Sequence, residues 1–482
     1  MKRVKKNMKI EKSSNNIIWY ILASFIPMIF NFIRTPIFTR YFTTTEYGNI
    51  SIVNTTYSYI SMICFTWITA SIWRYYYKYK SENIDVLKSN INFLIIAAIM
   101  LNIIISLIWM SIEKNYNLKL VILIAMINNI ILQTLNTYLI FTRLEGKAKT
   151  FSFVNIAISI GSFMILIYLT FIMKMKIEAF FLSALSIDLF VFILFLIFNK
   201  HLLVLNIKFI NKDVIRDIFY YGVFSSLISL NLLILTSSDK YVIKFLDGID
   251  KVGIYNQIYI ISEYSIISFS TIFFNIINPV LLKSYEDNNE ESISIQWKLI
   301  SLYLAIILPL SIYFSLYAKQ ISLLLLGDEF QIGYKIMPFV MVTAFIYGLS
   351  QFYSSKFKYI GKMNTVLKGM CISSIFNIVS NILLVPYLGY KVAALTTFIS
   401  YLIMFFYFYF NEDKKYLSNK LNRKIILDII KIILIQLIVH IIITCISGEI
   451  SILIAIIEGA IFVATIYFYM YRKYKQHIIK LR

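Results

Sequence analysis

Stretches of about 20 apolar residues, most without a single charge, recur along the whole chain, and no other feature narrows its possible folds as far. Uncharged runs cover residues 17–33, 47–73, 89–112, 120–142, 150–173, 218–238, 299–318, 336–355, 369–390 and 392–411. Four more contain charge: 179–199 around Asp188, 252–282 around Glu263, 425–448 around Asp428 and Lys431, and 450–471 around Glu458. Each is long enough for a membrane-crossing helix, so fourteen spans are expected. Strands are a poor alternative, because an isolated strand in hydrocarbon leaves backbone groups unpaired and a barrel alternates polar with apolar residues. The expected fold class is therefore all-α, a polytopic membrane protein. Pro27, Pro36, Pro279, Pro309, Pro338 and Pro386 fall within or near the spans and are tolerated as kinks in a packed bundle.

Composition removes several other classes. The 482 residues are 59% hydrophobic and 15% charged, against roughly 45–50% and about 25% in soluble domains. Three cysteines, Cys64, Cys371 and Cys445, lie singly in apolar runs, which excludes a disulfide framework and paired thiolate metal sites. With only His201, His440 and His477 besides, no metal is expected. A formal net charge of +21 would suit nucleic acid on one face of a soluble fold, but here the charges sit between apolar runs, so nucleic acid is not an expected partner. Most of the lysines and arginines fall on alternate connections, which places both termini in the cytoplasm by the positive-inside rule. The basic opening at 2–12 and the basic tail at 472–482 agree, and the first apolar run reads as an uncleaved anchor. Residues 283–298 carry several acids against this trend, but acids weigh little in that rule.

The chain also repeats itself. Arg143, Gly146, Lys147 and Thr150, between the fourth and fifth spans, return at the same spacing as Lys358, Gly361, Lys362 and Thr365 between the tenth and eleventh. The same offset matches Lys176 to Lys391 and Ala179 to Ala394. A weaker match joins Arg40 through Tyr47-Gly48 to Lys244 through Val252-Gly253. Six spans per repeat is an even number, so the halves should share orientation about an axis along the membrane normal. The expected organisation is an N-terminal six-helix lobe over 1–199, an amphipathic cytoplasmic linker over 200–217 and a second six-helix lobe over 218–411. Two additional helices and the basic tail occupy 412–482. In the repeated loops glycine ends one helix, threonine can cap the next and lysine favours the cytoplasm. An inner gate whose lysines engage anionic head groups is the functional alternative.

Charges inside spans carry the functional signal, because each costs roughly 2.5 to 3.5 kcal/mol at mid-bilayer on insertion scales and so should face protein or a wet cavity. Arg34 ends the first span and shares a helix face with Asn31. Asp239 and Lys240 close the seventh span, immediately after Ser238, which the repeat aligns with Arg34. Glu263 lies near the middle of the eighth, where a carboxylate either pairs with a cation or takes up a proton. Pairing of Arg34 with Asp239 as structural glue is the bland reading. Arg40 and Lys244, at span ends, are also explained by snorkelling to the surface. Arg74 stands beside Tyr75, Tyr76, Tyr77 and Tyr79, a run that reads as an interfacial aromatic belt. Asp188, His440 and Glu458 have no evident partner in the sequence.

The number of spans, the duplication and the 34–48 and 239–253 segments together resemble the polysaccharide biosynthesis flippases, exporters of lipid-linked oligosaccharides within the multidrug/oligosaccharidyl-lipid/polysaccharide superfamily. That resemblance implies a V-shaped central cavity lined by spans one, two, seven and eight, with cations attracting a lipid-linked pyrophosphate. Carried over residue by residue, this role falls on Arg34 and Lys240 first, then on Arg40, Lys244 and Arg74. The motif assigns nothing to Asp239 or Glu263, which remain candidates for ion coupling or cavity acids. The implied partners are a polyprenyl-pyrophosphate-linked oligosaccharide, membrane lipids, and a glycan polymerase or assembly proteins.

The physics of such a substrate fits these residues independently. Its polar head cannot cross hydrocarbon and its tail prefers it, so a cleft between rocking lobes can shelter the head, where guanidinium and ammonium groups hold phosphate oxygens. No G-x-x-x-x-G-K-[ST] loop is present, so neither a nucleotide cofactor nor ATP hydrolysis is expected. A cation-coupled multidrug exporter of the same architecture would use Glu263 as its ion site. A membrane glycan polymerase or glycosyltransferase would have to draw two carboxylates from Asp239, Asp247, Asp250, Asp328 and Glu329.

Overall fold

The computed structural model describes residues 2–287, 290–413, 423–447, 451–462 and 464. Among these, helices account for the regular structure and there is no strand. Among the described residues, eleven helices are long and apolar enough to cross a membrane. The second expected span is instead carried by two helices, α2 (Thr44–Cys64) and α3 (Thr66–Glu82), meeting at Phe65. The break is slight, since the Phe65 N–H still bonds the Ser61 carbonyl at 2.8 Å. The last two expected spans correspond to the helix Arg423–Ser447 and the shorter Ile452–Phe462. Most of residues 463–482, including the basic tail, lie outside the described residues.

The chain divides into two compact units, one holding 1–38 and 49–233, the other 39–48 and 234–482. In the first unit, α1 (Lys2–Phe38), which runs unbroken through Pro27 and Pro36, packs along α6 (Ala148–Ile167). Helix α6 continues as a π turn over Tyr168–Ile172 and packs on α7 (Ile177–Phe198), which also lies against α5 (Tyr116–Leu144). Helix α4 (Ile84–Ile112) packs between α3 and α5. With no hydrophobic force between helices in lipid, interhelical hydrogen bonds act as glue. Asn102 Nδ2 donates to Asn129 Oδ1 at 3.0 Å, and Asn129 Nδ2 donates to Ser61 Oγ at 2.8 Å, joining α4, α5 and α2.

The connection after α7 is bound to α4 by side-chain amides. Asn92 Nδ2 donates to the Leu202 and Val204 carbonyls, and Asn90 Nδ2 donates to that of Phe209. Lys88 Nζ donates to the His201 carbonyl at 2.9 Å. Helix α8 then starts at Lys212, inside the stretch expected to be linker, and runs to Leu246. The unit boundary falls within this helix.

In the second unit, α9 (Ile249–Asp287), α10 (Glu290–Leu316) and α13 (Met337–Tyr359) pack together, and α15 (Lys391–Phe410) lies against α13 and α14 (Met363–Leu388). The short helices α11 (Ala318–Leu325) and α12 (Asp328–Gln331) bridge α10 and α13. Pro338 stands at the start of α13 and not in its interior, the position where its missing N–H costs least.

The repeated loops share one backbone conformation. Gly146 and Gly361 have φ of 77° and 78°. Each following lysine N–H reaches back five residues, Lys147 to Thr142 at 2.9 Å and Lys362 to Phe357 at 2.8 Å. This is the Schellman closure that a glycine just past a helix end permits. The expected threonine caps do not form: Lys147 and Lys362 occupy the N-cap positions of α6 and α14 without a side-chain cap, and Thr150 and Thr365 fall in the first turns.

Candidate functional site

Helices α8 and α9 form a hairpin whose turn is made by Gly248, with φ of 116°. Asp239 lies seven residues before the end of α8 and Tyr255 six residues into α9, so both stand about 10 Å from the turn at 1.5 Å per residue. That shared depth explains their contact: Tyr255 Oη donates to Asp239 Oδ2 at 2.5 Å. Asp239 Oδ1 accepts from the Lys240 N–H at 2.8 Å, and the carboxylate is fully buried.

Lys240 is half-buried, and its ammonium lies in the field of both Asp239 and Glu263. Glu263 is two turns further along α9 than Tyr255 and is also half-buried. Tyr259 and Tyr401 lie within its electrostatic reach. Three charged side chains on two spanning helices thus lie in one another's field within the second unit, with tyrosines beside them. Partial access together with close protein on most sides is the setting in which intramembrane charge persists.

From this cluster a polar seam runs into α14 and α15. Ser238 Oγ donates to Asn377 Oδ1 at 3.3 Å, and Asn377 Nδ2 donates to Thr397 Oγ1 at 3.0 Å. Asn381 Nδ2 donates to Asn377 Oδ1 at 3.2 Å, and Asn381 Oδ1 in turn accepts from Thr396. None of these four α14 and α15 residues was singled out from the sequence. Two asparagines four residues apart on an apolar helix were the available signal, since that spacing puts both on one face.

The other expected residues are placed as follows. Arg34, in the first unit, is half-buried with its guanidinium 5.3 Å from the centre of the Phe180 ring, and Asn31 is exposed nearby on the same helix. Arg74 is exposed and stacks 5.7 Å from the Tyr221 ring. Tyr76 and Tyr79 of the expected aromatic belt are buried, while Tyr77 is exposed. Arg40, in the second unit, is exposed and donates from Nη2 to the Leu324 carbonyl at 2.9 Å. Lys244 lies 5.6 Å from the ring of its neighbour Phe245.

Three acids or bases without a partner in the sequence acquire one. Asp188 is 2% exposed and accepts from Asn128 Nδ2 at 2.7 Å, with its other oxygen unpartnered among the described residues. Glu458 accepts from Tyr317, whose ring lies 5.1 Å from that of His440. Among the described residues no group of three or more His, Cys, Asp or Glu could hold a metal ion.

Spanning helices and charge inside the spans define a multi-pass membrane protein. The family model described as "Polysaccharide biosynthesis protein" matches residues 13–281, and the chain belongs to that family. It is similar to an uncharacterized membrane protein of Methanocaldococcus jannaschii, 26% identical over 228 residues. That match takes in 46% of this chain and 44% of the relative, so it spans less than half the length of the curated protein.

Among solved structures it shares the fold of the lipid II flippase MurJ in an inward closed conformation. The TM-score there is 0.67 at 17% identity, over 96% of this chain and all of that one. An outward-facing multidrug resistance MATE family transporter of the MOP superfamily gives a TM-score of 0.59 at 14% identity, over 82% of this chain and 92% of that one. An inward-facing one gives 0.56 at 13% identity, over 83% and 100%. The fold is thus one that this chain shares with a flippase and with transporters.

Proposed function

We propose that this protein is a flippase that carries undecaprenyl-pyrophosphate-linked oligosaccharide repeat units across the cytoplasmic membrane by alternating access, for assembly of a cell-surface polysaccharide. The observation that carries the reading is the half-buried ammonium of Lys240, held on a spanning helix in the field of Asp239 and Glu263. Besides balancing these acids, an ammonium with three donors can give charge-assisted hydrogen bonds to the several acceptor oxygens of a lipid-linked pyrophosphate. Arg34, aided by Asn31, is the second phosphate-binding group, and Arg40, Lys244 and Arg74 supply further positive charge. Membership of the polysaccharide biosynthesis family supports a glycan as the cargo. Both termini lie in the cytoplasm on this reading, and a glycan polymerase consumes the product outside.

Translocation of a lipid-linked oligosaccharide in proteoliposomes tests it. Lys240→Ala and Arg34→Ala should each lower the rate roughly tenfold or more, the usual scale for losing a charge-assisted hydrogen bond, with membrane expression unchanged. Transport at the wild-type rate in both variants would overturn the assignment.

A cation-coupled multidrug exporter is the second reading, favoured by the two acids beside Lys240, with Glu263 and Asp239 as the coupling groups. Drug efflux that depends on this chain and disappears in Glu263→Gln would replace the first reading with this one.

A further inference from the structure

The first unit contains a groove of about 960 Å³ between α1, α6 and α7. Its walls are aromatic and aliphatic, including Phe153, Phe190 and Phe198, all well exposed. One end is closed by close packing: a Cβ on Gly161 of α6 would meet Ile187 of α7 at 2.5 Å, so the two helices touch there. From there the groove is lined along both helices as far as Thr150 and Asn199, and that end carries Trp19, Lys147 and Lys149.

Length and charge narrow the occupant. The α7 side of the groove covers residues 187–199, about 18 Å at 1.5 Å per residue. A bilayer core is about 30 Å thick, so the groove spans one leaflet and no more. At its mouth Lys147 is neutralised by Glu145, its Nζ 2.6 Å from Oε2, and His201 faces the same carboxylate at 3.3 Å. Lys149 is exposed, its ammonium 6.0 Å from the Trp19 ring. Of the charges lining the groove, one positive charge is thus left over, at head-group depth. An indole beside an ammonium above an apolar trough is the arrangement that favours an interfacial lipid head.

We infer that this groove is a binding site for an anionic phospholipid, its acyl chain lying between α6 and α7 and its phosphate held by Lys149 with Lys147 and Thr150. The motif repeated at 358–365 has no counterpart to Lys149, where Asn364 stands, so the site belongs to the first copy alone. It depends only on the membrane-spanning fold and is independent of what the protein transports.

Native mass spectrometry of the purified protein titrated with phosphatidylglycerol or phosphatidylcholine tests the inference. Wild type should retain phosphatidylglycerol at least about fivefold better than phosphatidylcholine. Lys149→Glu should abolish the preference while leaving some chain binding, and Ala157→Trp, which fills the trough, should lower retention of both lipids. Thermal unfolding and gel filtration establish that each variant is folded, and Lys149→Arg should restore the preference. Equal retention of the two lipids by wild type, or an unchanged preference in folded Lys149→Glu, would overturn the inference. Selective retention of a polyprenyl phosphate in place of either phospholipid would overturn it too.

Discussion

Glu145 shows what a single residue at a membrane edge can do. Burial alone would raise the affinity of its carboxyl for protons, but the hydrogen bond and charge of Lys147, followed by those of His201, outweigh it and hold the group below the usual carboxylate range. A carboxylate whose folded value is depressed contributes stability above its unfolded value, about 4.3 for Glu, and loses it as pH falls through the folded value. Thermal unfolding in detergent should therefore show a loss of stability below about pH 4 that Glu145→Gln does not share. An identical acid limb in both proteins would mean that the Lys147 and His201 contacts add nothing to the folded state. The sequence placed Lys147 in an internally repeated spacing with Gly146 but could not show Glu145 turned back upon it. That contact depends on the chain reversing at a glycine and on the α7 connection returning His201 to the same spot.

Between helices, a buried ion pair joins Lys356 near the end of α13 to Glu412 just beyond α15, with Nζ to Oε1 at 2.9 Å. The two side chains are 7% and 1% exposed. Two desolvated charges stabilise little beyond a well-packed apolar pair, whereas removing one strands the other. Glu412→Ala should accordingly cost about 3–5 kcal/mol, while the double variant Lys356→Met with Glu412→Leu should lie much nearer wild type. Chemical unfolding in mixed micelles measures both, and equal losses in the single and double variants would contradict the pairing. Neither residue announced itself in the sequence, since both fell in connections where charge is ordinary. The spans themselves were legible because apolar length is a local property. The break at Phe65 was not, as α2 is rich in Thr, Asn and Ser and its interruption depends on neighbours the sequence does not display.

At the scale of the molecule, duplication was the most readable property, and it extends to backbone angles. With nothing within 4 Å of an added Cβ at Gly146 or Gly361, replacement by alanine should cost only the left-handed conformation, about 1–2 kcal/mol, and similarly at both loops. Unequal losses by thermal unfolding would show that the two copies have diverged in more than sequence. The clustering of Asp239, Lys240 and Glu263 was only partly visible: the sequence marked each charge as unusual, but the seam through Asn377, Asn381, Thr396 and Thr397 required knowing which helices are neighbours.

The copies also meet within the second unit. A Cβ on Gly48 would strike the Ile249 carbonyl, and one on Gly253 would strike that of Thr44, each four residues before the opposite glycine. Two main chains abut there, closer than a side chain at either glycine would permit. Any larger residue at Gly48 or Gly253 would therefore act as a wedge, prising the start of α2 away from the start of α9.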